Sequence, residues 1–422
     1  MSASRLESIA RLNPEFDLWV SGAKDLAKKG VQALREASIL ELVAVAALAF
    51  LTVALLLWYF LKTFSFEHPF NIRRINQDNL ATQAPYDKAA QNRVGLRDYL
   101  ATLRSQGVPE SHLVLTNFYV STVNAAGLFF PAVDGVASPD AARLAVKGGA
   151  RAFVFDLWPD LTPGTNFGPT IQIVESGSLW RRTSLNSLPF SVVLKPLIQE
   201  ALELDVRPGS SDPVFLYLRF RGKPRPGTFT QTADTLRDIV EKYRLDASFN
   251  HQRAQGTIFS MPIQELLRKV VIVSNVSAQG NALSDYINVG PRDGAKVEWL
   301  PLELRSITDN VKPAVIRQIQ QNLSWVAPFS EDYKAPTNKY DWPFNQQLGV
   351  QFNAMNFWNH NDRLKAYMAP DMFGSRSFTI KPLLLRYVVE ILPTPKNPQN
   401  PHWGAGPSAG APKLPAELQL PL

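Results

Sequence analysis

Residues 338–382 read NKYDWPFNQQLGVQFNAMNFWNHNDRLKAYMAPDMFGSRSFTIKP. The Trp342-Pro343 pair marks a turn, and Gly349 opens a run, GVQFNAMNF at 349–357, apolar enough to be a buried strand. Outward from it, other short runs rich in β-branched and aromatic residues stand at 112–120, 151–158, 170–174, 213–220, 269–275 and 296–302. Helical patterns intervene at 139–148, 191–204 and 230–245, with a short one at 263–268. Continuous apolar strands separated by helices predict a parallel sheet covered on its faces. Residues 111–393 have the size of a (β/α)8 TIM barrel, for which about 250 residues is typical. The expected fold class is therefore α/β, a (β/α)8 barrel.

The whole chain of 422 residues is 45% hydrophobic and 19% charged, which is enough apolar material for one large core. It has no Cys, so disulfides, thiolate metal sites and cysteine nucleophiles are all excluded. Only five His occur, His68, His112, His251, His360 and His402, and chemistry that needs two imidazoles must draw on them. Lys and Arg number 44 against 37 Asp and Glu, a net charge of +7. A nucleic-acid interface would cluster its basic residues in a stripe. Here the densest run, Arg219, Arg221, Lys223 and Arg225, reads as a solvated loop, and no nucleic-acid partner is expected. Phosphate-cradling glycine loops, a nucleophile elbow and the H-E-x-x-H zinc motif are all missing from the sequence, so no cofactor is expected.

Towards the N-terminus, Leu42–Leu61 reads LVAVAALAFLTVALLLWYFL, without a charge between Glu41 and Lys62. Twenty residues at about 1.5 Å each span about 30 Å, the thickness of a bilayer's hydrocarbon. Trp58, Tyr59 and Phe60 stand at one end, where amphipathic rings favour the interface. A single transmembrane helix is expected at 39–62. Residues 1–38 contain an amphipathic helical pattern, residues 63–110 form a polar connector with some helix at Tyr86–Ser105, and residues 394–422 are a Pro- and Gly-rich tail.

Several segments resemble the catalytic barrel of phosphoinositide-specific phospholipase C. Within 338–382, Gly349, Gln351, Ala354, Asn356 and Phe357 follow the family's strand pattern G-x-Q-x-x-A-x-N-[FY]. Met368, Phe373, Gly374 and the closing Lys381-Pro382 follow in order. Pro139–Asp160 is similar to the family's helix, Gly turn and strand, and Pro213–Phe220 to a later strand. The resemblance extends over residues 112–390.

That family cleaves with two histidines and a calcium ion held by Asn, Glu, Asp and Glu at the C-terminal ends of barrel strands. Placed on this sequence, the first histidine corresponds to Val123 and the second to Ile173. Of the calcium ligands Asn124 and Asp156 match, while the two Glu positions hold Val154 and Arg219. The Arg and Tyr that precede the family's Asn-Tyr pair correspond to Trp325 and Ala327. The resemblance therefore implies a degenerate member without catalysis or metal, in which an Arg219–Asp156 ion pair replaces the metal site.

A degenerate phospholipase-like domain with one span is also similar in architecture to structural proteins of large DNA viruses of algae and protists. This implies a minor capsid protein that tethers the shell to the inner membrane, located in the virion's inner membrane and capsid. Its partners would be the lipid bilayer through 42–61 and other structural proteins through the N-terminal helix and the C-terminal tail. Two readings compete. One is an active phosphodiesterase with rearranged groups, Glu175 or His360 as base and Arg219 in place of the metal; the other is a non-catalytic lipid head-group binder.

Overall fold

A computed structural model describes residues 21–22, 24–29, 32, 38–65 and most of 93–387. Within the last range the description omits 130–134, 160–167, 175–182, 205–208, 223, 251–256, 278–279, 292–297, 300–303, 305–312, 322–323, 327–340 and 359. Residues 66–92 of the connector expected at 63–110, the tail at 394–422 and Ala327 lie outside the described residues.

The apolar run is helical over 27 residues, Ile39–Ser65 (α1). Side chains are described continuously from Val43 to Tyr59, and all are exposed. Among the described residues no helix is long and apolar enough to cross a membrane. The described positions between 21 and 32 are also helical.

Residues 93–387 form a mixed α/β unit around a curled sheet. The main strands are β1 (Phe118–Val123), β2 (Ala152–Trp158), β3 (Val214–Phe220), β4 (Val270–Ser274), β5 (Glu298–Trp299), β6 (Trp325–Val326) and β7 (Phe352–Met355). All seven run parallel in the order β4-β3-β2-β1-β7-β6-β5. An eighth strand, β8 (Phe378–Ile380), lies antiparallel along the first half of β1. Among the described residues the sheet stays open between β4 and β5, with a single parallel bridge from Val273 to Val289 continuing it beyond β4. The expected eight-stranded closed barrel is thus met by seven parallel strands. The curl nevertheless brings β5 back towards β3, since Glu298 on β5 contacts Tyr217 and Arg219 on β3.

Alternation along the strands divides the core into two layers. Inward residues Phe118, Val120, Ala152, Val154, Phe215, Tyr217, Val271, Val273, Trp325, Phe352 and Ala354 form one cluster. Outward residues such as Phe153, Phe155, Leu157, Leu216, Leu218 and Ile272 pack against helices α3 (Pro139–Lys147), α4 (Phe190–Ile198) and α5 (Pro226–Val240). Burial on both faces explains why these strands read as continuous apolar runs.

Helix α2 (Leu96–Ser105) closes the end where the strands begin. Its Leu96, Tyr99, Leu100 and Leu103 join the interior cluster. The chain reaches α2 through Arg93, whose Nη2 donates to the Gly148 carbonyl at 2.7 Å. The backbone amide of Leu96 donates to Asp212 Oδ1 at 2.7 Å, which ties the start of α2 to the start of β3. Beside it, Arg151 donates to the carbonyls of Val146, Ala150 and Gly209.

Candidate functional site

The last inward positions of the strands carry the polar groups, because an alternating strand that leaves an apolar interior meets solvent there first. On β2 the inward series is Ala152, Val154, Asp156; on β3 it is Phe215, Tyr217, Arg219, and Asp156 stands in register with Arg219. Arg219 Nε donates to Asp156 Oδ1 at 2.6 Å and Nη2 to Oδ2 at 2.8 Å, a two-pronged pair between side chains exposed by only 3% and 6%. Arg219 Nη1 donates to Glu298 Oε1 at 2.9 Å, and the Tyr217 hydroxyl donates to Glu298 Oε2 at 2.8 Å. Arg221 adds a third donor to Asp156, Nε to Oδ1 at 2.6 Å. The ion pair expected between Arg219 and Asp156 is present, inside a larger network.

The electrostatics follow from these contacts. Burial disfavours the ionised Asp156 carboxyl, but the guanidinium groups of Arg219 and Arg221 outweigh it and hold the carboxyl down at about 2. Burial likewise works against the Arg219 cation, and Asp156 and Glu298 more than compensate, so its proton is held more tightly than in a free arginine. Burial, then Glu298, raises the Tyr217 hydroxyl well above its ordinary value. Asp156, Arg219 and Tyr217 are thus each locked in one protonation state across the neutral range.

The other predicted positions scatter. Asn124 is buried just beyond β1 and its Nδ2 donates to Asn356 Oδ1 at 3.1 Å, joining the ends of β1 and β7. Val154 is an inward core residue. Val123 belongs to the outer layer between sheet and helices, and Ile173 is buried in that same layer, its amide accepted by the Ser184 hydroxyl at 3.1 Å. Neither shares a cluster with Asp156 and Arg219. Trp325 lies fully inside the sheet, stacked on Phe352 with ring centroids 3.9 Å apart and packed against Tyr217 at 5.2 Å. Lys381 is fully buried; its ammonium donates to the Gly349 carbonyl at 2.7 Å, and burial lowers its pKa to about 7.

Solvation of the basic run is corrected for its first member: Arg219 is 2% exposed, while Arg225 is exposed at the start of α5 and Lys223 lies outside the described residues. Arg221, read from the sequence only as part of that solvated run, is also drawn in by Asp156, while Glu298 and Tyr217 carry no separate mark in the sequence reading. A lone carboxylate in the apolar run KVEWLPL was the available sign of Glu298, because a charge on a buried strand needs a partner. Of the two candidate alternative bases, Glu175 lies outside the described residues and His360 is exposed.

A calcium ion does not fit these residues. It takes six to eight oxygens. Both Asp156 oxygens are held by guanidinium groups, and Arg219 places a fixed positive charge among them. Of the two matching ligand positions, Asn124 alone keeps a buried oxygen, Oδ1, without a hydrogen-bond partner among the described residues.

No protein-family model matches the chain, and no curated protein does. Among solved structures the chain is similar to L. pealei PLC21, with 13% identity over 66% of this chain and a TM-score of 0.49, and to S. officinalis PLC21, with 13% identity over 67% and the same score. It is also similar to the calcium-dependent phosphoinositol-specific phospholipase C from Pseudomonas sp., with 10% identity over 63% and a TM-score of 0.42. The matched regions make up 38% and 39% of the two PLC21 chains and 94% of the Pseudomonas chain.

Proposed function

We propose that the chain is a single-pass membrane protein whose phospholipase C-like barrel no longer catalyses and serves as a structural tether. The observation that carries this reading is the Arg219 network. A metal-dependent phosphodiesterase needs free carboxylate oxygens for a cation and an open place for the phosphate. Here Asp156 is saturated by guanidinium donors and Arg219 is clamped between Asp156 and Glu298. Clamped in this way, Arg219 is poorly disposed to replace a metal ion, which also weighs against the rearranged phosphodiesterase.

Anchoring is supported by α1. Its 27 residues extend about 40 Å, and the uncharged stretch at 42–61 runs past both ends of the described side chains. The concrete role is that of a minor capsid protein joining the shell of a large DNA virus to its inner membrane. The bilayer is engaged through 42–61, and other structural proteins through residues 1–38 and 394–422.

Incubation of the full chain with phosphatidylinositol vesicles, with and without calcium, is expected to release no inositol phosphate, and calorimetry to detect no calcium binding. Turnover abolished by Arg219→Ala but insensitive to chelator would overturn the reading. The capsid role requires the chain to co-purify with intact particles and to stay with the membrane fraction when the shell is stripped; recovery solely outside particles would exclude it.

A further inference from the structure

Within the described part of 93–387, five large apolar side chains are exposed: Val94, Val192, Leu204, Leu383 and Leu384. Leu383 at 65% and Leu384 at 95% stand well above the others. Both sit on the 3-10 turn Leu383–Leu385, immediately after β8. β8 runs antiparallel to β1 with Ile380 opposite Phe118, the first residue of β1. The amides of Lys381 and Tyr387 then donate to the backbone and side-chain oxygens of Asn117. The leucine turn is therefore at the end of the domain where the strands begin, opposite the mouth that holds Asp156 and Arg219.

The same end receives the chain from α1. Residues 66–92 lead to Arg93 and Val94, and the Val94 amide donates to the Ser375 carbonyl at 2.7 Å. The Arg376 guanidinium lies 4.9 Å from the centre of the Tyr99 ring, whose hydroxyl accepts from the Ile380 amide at 3.3 Å. Val94, Arg376, Tyr99 and Ile380 thus link the point of entry to the leucine turn through direct contacts. Arg376 and Arg386 flank the turn in sequence, Arg376 over the Tyr99 ring and Arg386 Nε donating to the Lys381 carbonyl at 2.7 Å, while Arg104 and Glu110 on the nearby α2 side neutralise each other as an ion pair.

Two adjacent leucines held in water on a fixed turn are unusual for a folded domain. Burial of such side chains at the head-group boundary is favourable, and guanidinium groups beside them are drawn to anionic lipid. We infer that the base of the domain lies on the bilayer that α1 enters, with Leu383 and Leu384 in the interface and the Asp156–Arg219 mouth turned away from the membrane. This orientation rests on the reading of α1 as an anchor. It directs the surface on the mouth side towards other proteins instead of lipid.

The absence of cysteine makes the test direct, because a single introduced thiol carries the only label. The full chain is reconstituted in phosphatidylcholine–phosphatidylserine vesicles as Leu384→Cys or as Thr230→Cys, each bearing an environment-sensitive fluorophore. Thr230 is exposed near the start of α5, on the mouth side. The expected result is a blue shift and quenching by spin-labelled lipid at position 384, and a water-like spectrum at 230. Both sites are exposed, so both variants should melt at the wild-type temperature. A water-like label at 384 in vesicles that carry the chain overturns the orientation, as does quenching at 230. A blue shift at 384 without lipid quenching means that protein covers the turn, and also overturns it. Flotation separates the two claims: a full chain that fails to float with vesicles refutes the anchor itself, whereas one that floats with position 384 in water refutes only the orientation.

Discussion

Arg219 shows how a charge can be stable deep inside a strand layer. Its three engaged nitrogens meet two carboxylates, Asp156 and Glu298, and through Glu298 the hydroxyl of Tyr217. A buried pair of this kind is not strong support for the fold in itself, since exchanging both partners for apolar residues is often neutral. Removing one partner is different. Arg219→Met leaves Asp156 and Glu298 facing each other with Arg221 alone to compensate, and should cost about 3–5 kcal/mol in denaturant unfolding. The double variant Arg219→Met with Asp156→Leu should recover a large part of that loss.

Lys381 makes the opposite case, a cation with a single backbone acceptor. Its pKa falls from 10.5 to about 7 on burial, so between those values the unfolded chain binds the extra proton. Stability from this group therefore rises as pH increases from about 7 to about 10. Lys381→Met removes that dependence. Urea unfolding at a series of pH values should show the variant gaining on the wild type as pH falls from 10 to 7, with little further change below.

At the scale of elements, local chemistry accounts for most of what the sequence revealed. Strands expected at 151–158, 213–220 and 269–275 appear as Ala152–Trp158, Val214–Phe220 and Val270–Ser274, because each is buried on both faces and its composition says so. The run at 112–120 was misjudged in its first half. Glu110–His112 and Leu115–Asn117 form 3-10 turns, and Leu115 pairs with the Met261 carbonyl instead of extending β1. Apolar content alone cannot separate a strand from a buried turn of that length. The run at 170–174 shortens to Thr170–Ile171, antiparallel to the end of β2.

Helix α3 shows a fully legible element. Ser138 Oγ accepts from the Asp140 amide at 3.2 Å, Pro139 occupies the first turn, and Gly148-Gly149 ends it. Gly149 has φ +92°, and a Cβ there would fall 1.1 Å from Arg93 Nη1. Gly149→Ala must therefore displace the guanidinium as well as strain the backbone, and should lower stability by at least about 1–3 kcal/mol in thermal or denaturant unfolding. Arg93→Ala in the same chain should relieve part of that penalty.

For the molecule as a whole, the α/β class could be read from the order of apolar runs and helical patterns, while the pairing of Arg219 with Asp156 came from the resemblance to the phospholipase C family. The rest of the network could not be read, because it depends on the curl of the sheet. Glu298 is separated from Arg219 by most of the parallel layer along the hydrogen-bonded order, yet their side chains touch. No local pattern encodes that distance. The same holds for Val123, placed at a reactive position by motif alignment and found in the outer layer by strand alternation.

The position of α2 has a mechanical consequence. Under the tether role proposed above, a pull from the N-terminal side would enter the domain at Arg93. The first element in the load path is the helix that plugs the core. It is riveted sideways to the beginnings of β2 and β3 by the Arg93–Gly148 and Leu96–Asp212 bonds. Pull from the N-terminal side is thus passed at once to two central strands, in place of being borne by a peripheral strand that could peel away one bond at a time.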